Sequence, residues 1–104
     1  MKRAAVFIPV LLTFPPESAR QDAWGRLTRL TSGGAELSTA VRLTRGEGAF
    51  LAFELGGARF AEIRARVDHA EDDADGHRLV ELVFQDEVQR RALAEALIDV
   101  LARS

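Results

Sequence analysis

The stretch AFLAFELGGARFAEIRARVDH, residues 49–69, contains two strand patterns separated by two glycines. Residues 49–55 are apolar almost throughout, which is typical of a strand covered on both faces. Residues 58–69 alternate between apolar and charged side chains, which is typical of a half-buried antiparallel strand. Gly56-Gly57 supplies the two positive φ angles that a two-residue hairpin turn needs. The stretch therefore predicts a β-hairpin whose second strand directs four side chains inward: Ala61, Ile63, Ala65 and Val67.

Four further segments have strand patterns: residues 4–14, 24–31, 35–44 and 78–84. Alternation predicts two more inward sets, namely Val6, Ile8, Val10, Leu12 and Phe14 in the first strand and Ala35, Leu37, Val41 and Leu43 in the third. The connections include an acidic loop over residues 70–76 and a longer segment over residues 15–23, where a short helical turn is expected. Six strands are predicted in total.

The N-terminal segment has a second interpretation, because Lys2 and Arg3 before an apolar stretch outline a secretory signal. Pro9 interrupts that stretch, however, and no small-x-small cleavage site follows Phe14. The sequence therefore favours an N-terminal strand over a signal peptide.

The periodicity changes near residue 86, where a helical pattern begins. Apolar side chains then recur at three- and four-residue spacing, which predicts one apolar helix face: Val88, Ala92, Leu93, Ala96, Leu97, Val100 and Leu101. Asp86 is the expected N-cap. Strands followed by one terminal helix predict an α+β domain that is mostly β, in which six antiparallel strands close into a small barrel so that no strand edge is left open.

Composition limits the classes of function. The 104 residues, with an apolar fraction of 47%, suit one domain spanning residues 1–104. A net charge of −2 is poor for nonspecific nucleic-acid binding, and the lack of cysteine excludes a disulfide scaffold, a zinc finger and thiolate catalysis. No apolar run is long enough to span a bilayer. The sequence thus predicts a cytoplasmic protein that binds no nucleic acid.

No residues with the spacing of a catalytic or metal centre are apparent. None of the four serines lies in a nucleophile-elbow context, and neither histidine has an identifiable partner. The acidic loop resembles a calcium-binding pattern in its first half, but Leu82 occupies the position of the bidentate carboxylate. His69 and His77 flank the loop without a zinc-ligand spacing rule. We therefore predict neither an enzyme nor a metal site.

The order of features along the chain is more informative. A basic N-terminus precedes a strand containing Pro9, the second strand runs into Leu30-Thr31-Ser32-Gly33-Gly34, and a helix ends the chain. Over essentially its whole length, the sequence resembles the PilZ domain family of bacterial barrels, many of which bind cyclic di-GMP. Binding members of that family use an Arg-x-x-x-Arg motif before the first strand and an Asp/Asn-x-Ser-x-x-Gly motif after the second.

The two motifs are only partly matched. Arg3 aligns with the first arginine, but Phe7 stands at the second. In the turn motif, Thr31 replaces the serine, Gly34 matches the glycine, and Arg29 stands at the acidic position. An offset alignment with Ser32 as the serine fits less well, because it places Leu30 at the acidic position.

The missing groups are the ones that would hold the ligand. Arginine forks bind phosphates and guanine edges, while a short carboxylate or amide accepts the guanine N–H donors. A charge-assisted bond contributes about 1.5–3 kcal/mol, so two lost contacts cost about 3–6 kcal/mol. That loss corresponds to roughly two to four decades of affinity.

The resemblance therefore implies a regulatory domain with a degenerate cyclic di-GMP site and no bound cofactor, acting as a protein-interaction adaptor in signalling or in pilus and motility control. The alternative is a cyclic di-GMP receptor that uses Arg3, Arg29, Thr31 and Gly34 in an altered geometry, and Ser32 is a further candidate ligand-binding residue. The expected interaction surfaces are the barrel mouth around Phe7 and the exposed helix side around Arg90 and Arg91. The sequence does not determine the oligomeric state or the protein partner.

Overall fold

The structure is a computed structural model that describes residues 8–73 and 75–103. Its strands are β1 (Ile8–Thr13), β2 (Ala23–Leu30), β3 (Gly34–Thr39), β4 (Gly48–Leu55), β5 (Ala58–Asp72) and β6 (Arg78–Phe84), and its helix is α1 (Glu87–Arg103). The six strands pair antiparallel in the order β1-β2-β3-β6-β5-β4, and β4 pairs with β1 to close the barrel. The predicted fold class, an antiparallel six-stranded barrel followed by a C-terminal helix, is confirmed.

Apolar side chains fill the barrel interior. In every strand they alternate with residues that face outward, as the pleat requires. The buried set is Val10, Leu12, Leu27, Leu37, Leu43, Ala49, Leu51, Phe53, Leu55, Ile63, Ala65, Val67, Val80, Leu82, Phe84 and Leu93. Of the predicted first strand, residues 8–13 form β1, and residues 4–7 lie outside the described part of the chain.

The hairpin that anchors the prediction is present. Leu55 pairs with Ala58 across Gly56 and Gly57, whose φ angles are 58° and 85°. Positive φ at both central residues is the geometry of the type I′ turn, which follows the right-handed twist of the strands. A 3₁₀ turn at Pro16–Ser18 confirms the short helical turn expected between the first two strands.

One inward residue of β5 was predicted wrongly. Leu51 pairs with Ile63 but Phe53 pairs with Phe60, so β5 contains one extra residue at this point. The bulge turns Ala61 outward and Phe60 inward, where its ring stacks on Phe53 with centroids 5.7 Å apart. An extra residue reverses which side chains point inward on one side of the bulge. Strict alternation along the whole strand therefore could not predict the inward residues of both halves correctly.

The helix helps to satisfy the backbone at that bulge. Glu62 has a φ of 54°, and its carbonyl oxygen accepts a hydrogen bond of 2.8 Å from the Gln89 side-chain amide. The Oε1 atom of Gln89 in turn accepts a bond of 2.9 Å from the Arg64 N–H. Gln89 therefore supplies a donor and an acceptor to backbone groups that the bulge takes out of the ladder.

Two predicted strand ends were also wrong. The third strand ends at Thr39 rather than residue 44, because Thr39 pairs with Arg78, the first residue of β6, and β6 offers no partner beyond it. Leu43 is nevertheless buried. The predicted loop over residues 70–76 is shorter than expected, since β5 continues to Asp72, which pairs with Arg78.

Only part of the predicted apolar helix face contacts the barrel. Asp86 caps α1 as predicted, its Oδ1 accepting a bond of 3.0 Å from the Gln89 N–H. Leu93 is fully buried, and Ala96, Leu97 and Val100 pack against the core. The other residues of the predicted apolar face are exposed, namely Val88 at 76%, Ala92, and Leu101 at 72%. The helix packs mainly on β4 and β6, so its contact stripe is narrower than its apolar arc.

A partly buried ion pair joins the loops at residues 14–22 and 40–47. The Arg20 guanidinium contacts the Glu47 carboxylate, donates to the Arg42 carbonyl oxygen at 2.8 Å, and lies 5.6 Å from the centre of the Phe14 ring. Burial alone raises the pKa of Glu47. Hydrogen bonds from Thr44 and the nearby Arg20 charge outweigh that effect, so the pKa lies below its ordinary value.

Candidate functional site

The β2–β3 turn carries most of the described residues that the sequence assigned to a ligand. Thr31 opens the turn, and its Oγ1 accepts bonds from the Gly33 and Gly34 N–H groups at 3.2 and 3.1 Å. The same hydroxyl donates to the Gly34 carbonyl oxygen at 3.2 Å. These bonds make Thr31 a turn-forming residue, because the hydroxyl already has its donor and two acceptor positions occupied.

Gly34 is required by the packing of the barrel itself. A Cβ at this position would lie 2.3 Å from the Leu82 carbonyl oxygen, because β3 and β6 approach closely there. The turn is tied to β6 as well, since the Phe84 N–H donates to the Gly33 carbonyl oxygen at 3.0 Å. Close strand pairing therefore accounts for the motif glycine without a ligand.

Arg29 lies between two carboxylates. A terminal nitrogen of its guanidinium is 3.7 Å from a carboxylate oxygen of Glu36 on β3 and 3.7 Å from one of Glu81 on β6. A bulge between Leu27 and Arg29 sets the position of Arg29 on β2. The Thr28 hydroxyl donates a hydrogen bond of 2.8 Å to the Glu36 carboxylate. Much of the positive charge that would attract a phosphate is thus compensated within the protein.

A groove of about 310 Å³ lies beside this turn. Its described lining is Arg29, Thr31, Gly33, Gly34, Ala35, Asp68, Glu81, Leu82 and Val83. The described lining therefore contains one arginine and two carboxylates, Asp68 and Glu81, so its net charge is negative. Ser32 is half-buried in the turn and is not part of this lining.

The two helix arginines that the sequence assigned to an interaction surface differ in their surroundings. An Arg90 guanidinium nitrogen lies 3.9 Å from the position that a Cβ on Gly33 would occupy, so Arg90 reaches the β2–β3 turn. Arg91 is exposed and pairs with Glu87 one helical turn earlier, at 3.6 Å. The structure thus brings Arg90 to the motif turn, whereas Arg91 has its own carboxylate. Arg3 and Phe7 lie outside the described residues, and the roles expected for them stay predictions.

A second, larger groove was missed by the sequence reasoning. It measures about 540 Å³ and contains Trp24, which is 67% exposed. Parity carried a signal for it: Leu27 points inward, and residues an odd number apart along a strand point to opposite faces. Trp24 was therefore due to face outward, on the side where the groove lies.

Over the described ranges, residues 8–73 and 75–103, no group of three histidine, aspartate or glutamate side chains is arranged to hold a metal ion. Over the same ranges no helix is sufficiently long and apolar to cross a membrane. No family model matches this chain, and no curated protein matches it.

Proposed function

We propose that this chain is a PilZ-like regulatory domain of the bacterial cytoplasm whose cyclic di-GMP site is degenerate, and that it acts as a protein-interaction adaptor in signalling or in pilus and motility control. The observation that carries the proposal is the position of Arg29 between Glu36 and Glu81. The barrel with a C-terminal helix agrees with what the PilZ resemblance implies. Small barrels host many functions, so the fold alone does not assign this one and the charges of the groove carry the assignment.

The electrostatics of the groove disfavour a dianionic ligand. Cyclic di-GMP carries two phosphodiester charges, whereas the described lining offers one arginine against Asp68 and Glu81. A phosphate that displaced Glu81 from Arg29 would leave that carboxylate beside a second negative charge. The ligand would therefore lack about 3–6 kcal/mol of contacts, as estimated from the motif, and would also meet like-charge repulsion.

Calorimetric titration with cyclic di-GMP tests the proposal. We expect no binding by the wild-type chain in the micromolar range. The double variant Asp68→Asn, Glu81→Gln should bind at least about tenfold more tightly than wild type, since it removes the repelling charges and frees one side of Arg29. Low-micromolar binding by the wild type would contradict the proposal.

A matched control removes two carboxylates far from the groove in sequence, Glu95→Gln with Asp99→Asn on α1. It changes the net charge by the same amount. If this control raised the affinity as much as the groove variant does, the effect would come from overall charge, and repulsion within the groove would be refuted as its cause.

The alternative, a cyclic di-GMP receptor with altered geometry, has one observation in its favour. Arg90 lies beside Gly33 and would bring a second guanidinium to the turn that holds Arg29 and Thr31. That reading requires measurable wild-type affinity and at least a tenfold loss in both Arg29→Ala and Arg90→Ala. Unchanged affinity in the two variants would exclude it.

A further inference from the structure

The groove around Trp24 has the features of a docking site for a side chain. Trp24 is the only tryptophan of the chain, and its side chain is 67% exposed. The indole lines a concave surface of about 540 Å³ that lies along β2 and β3 and reaches the β5–β6 turn. Tryptophan is among the residues most enriched where partner proteins bind tightly, particularly when a cavity adjoins it.

Trp24 is held by a well-connected backbone. Its carbonyl oxygen accepts a bond of 3.1 Å from Oγ1 of Thr39, which is fully buried, and its strand neighbour on β1 is Leu11. Gly25 permits this close approach, because a Cβ there would lie 3.1 Å from the Ser38 carbonyl oxygen. A platform presented in this way loses little backbone freedom when a ligand binds.

The charges around the groove indicate which occupant fits. Asp73 and Asp75 line the groove where it meets the β5–β6 turn, and Arg26 and His77 line it as well. Residues 68–78 contain five carboxylates against one arginine, a net charge of −4 with both histidines neutral, although the whole chain carries only −2. Of these five carboxylates Asp73 and Asp75 line the groove, and with Arg26 they give its described lining a net charge of −1 when His77 is neutral.

We propose that the Trp24 groove binds a lysine- or arginine-bearing segment of a partner protein. A cationic side chain would lie over the indole face, where the ring quadrupole attracts it, and close to Asp73 and Asp75. Docking by side chains is the mode that this barrel allows, because its described strands pair with one another around the full circle and offer no edge to an added strand.

This proposal does not rest on the proposed degeneracy of the nucleotide site. The described linings of the two grooves share no residue, so a ligand in one need not affect the other. If the chain acts as an adaptor, the Trp24 groove is a place where its partner would bind.

Trp24 fluorescence provides a direct assay, since no other tryptophan contributes. Hexa-arginine is the probe, with hexa-glutamate and maltohexaose as comparison ligands. We expect a saturable change in emission with hexa-arginine alone, at a Kd that increases with salt because the attraction is electrostatic. A saturable change with hexa-glutamate or maltohexaose, or none with hexa-arginine, would overturn the proposal.

Three variants locate the binding. Asp75→Asn should weaken hexa-arginine binding about threefold or more, and Arg26→Gln should strengthen it, because that change removes a like charge from the groove. Trp24→Ala, measured by calorimetry, should lose about tenfold. Glu95→Gln on α1 serves as the control and should leave binding unchanged.

Far-UV circular dichroism verifies that each variant is folded. Trp24→Ala removes a mostly exposed side chain, so the barrel should survive it. Binding by Trp24→Ala and Asp75→Asn at wild-type affinity would place hexa-arginine elsewhere and refute the proposal. The opposite response of Arg26→Gln, which would be weaker binding, would refute it as well.

Discussion

Replacing Gly34 with alanine separates a structural role for the motif glycine from a ligand-binding one. The added Cβ would lie 2.3 Å from the Leu82 carbonyl oxygen, and the atom in the way belongs to the backbone of the neighbouring strand. Gly34 does not have a positive φ, so alanine can adopt its conformation and the effect is one of packing alone. To relieve the clash, β3 and β6 must move apart at the point where Gly34 pairs with Val83.

The cost follows from that displacement. Overpacking of this kind costs about 1–3 kcal/mol, and each weakened ladder hydrogen bond adds about 0.5–1.5 kcal/mol. Alanine has less conformational entropy than glycine in the unfolded chain, which stabilises the folded state by about 0.4–1 kcal/mol. The net loss is about 3 kcal/mol, a large fraction of the 5–15 kcal/mol typical of a domain. It should lower Tm by about 12–24 °C.

Urea unfolding followed by far-UV circular dichroism measures the loss, and Gly33→Ala is the matched control. A Cβ on Gly33 would have its nearest neighbour at 3.9 Å, and Gly33 also lacks a positive φ. That variant should remain within about 0.5 kcal/mol of wild type or gain stability slightly. Equal stabilities of Gly34→Ala and Gly33→Ala would refute the packing explanation and return Gly34 to a ligand-binding role.

Three further changes test the packing and the electrostatics. Glu47→Gln should lower stability by about 1 kcal/mol at pH 7, because the Arg20 guanidinium loses the negative charge of a side chain that is only 18% exposed. The folded-state pKa of Glu47 is lowered, so its contribution is present above the unfolded pKa and lost as pH falls through the folded one. Urea unfolding from pH 7 downward should show the difference in stability between the two proteins shrinking as pH falls, and a difference that stays constant with pH would contradict this. Gln89→Ala removes two hydrogen bonds to β5 and should lower the free energy of unfolding, measured by thermal unfolding, by about 1–2 kcal/mol. The control Arg91→Gln breaks only an exposed ion pair and should leave that free energy almost unchanged. Leu93→Ala should lower the free energy of unfolding by about 2–5 kcal/mol, because the Leu93 side chain is fully buried. Amide hydrogen exchange along α1 should also become faster. Exchange protection equal to that of wild type would contradict docking of the helix through Leu93.

Much of the fold could be predicted from local patterns. The Gly56-Gly57 turn, the inward parity of Ile63, Ala65 and Val67, and the Asp86 cap each depend on residues within a few positions of one another. Such signals act on the backbone wherever the segment is placed. They were sufficient to predict six strands, a terminal helix and, through the need to cover edges, closure of the barrel.

The candidate sites depended on contacts between distant segments. The two carboxylates on Arg29 come from β3 and β6, and no spacing rule links Arg29 to Glu81. The exposed Trp24 becomes part of a groove only because the β5–β6 turn lies beside β2 and β3. Periodicity reports which face a side chain takes, but it does not report which strand lies beside it.

The sequence by itself determined the alternating strands, the glycine hairpin and the amphipathic helix. These elements follow from the φ preferences of single residues and from apolar side chains that repeat every 2 or every 3.6 residues. Its tertiary structure set the bulge at Glu62, the partial docking of α1 and the position of Arg29 between Glu36 and Glu81. These features follow from the register in which strands far apart in the chain meet around a closed barrel, and that register is a property of the whole set of contacts.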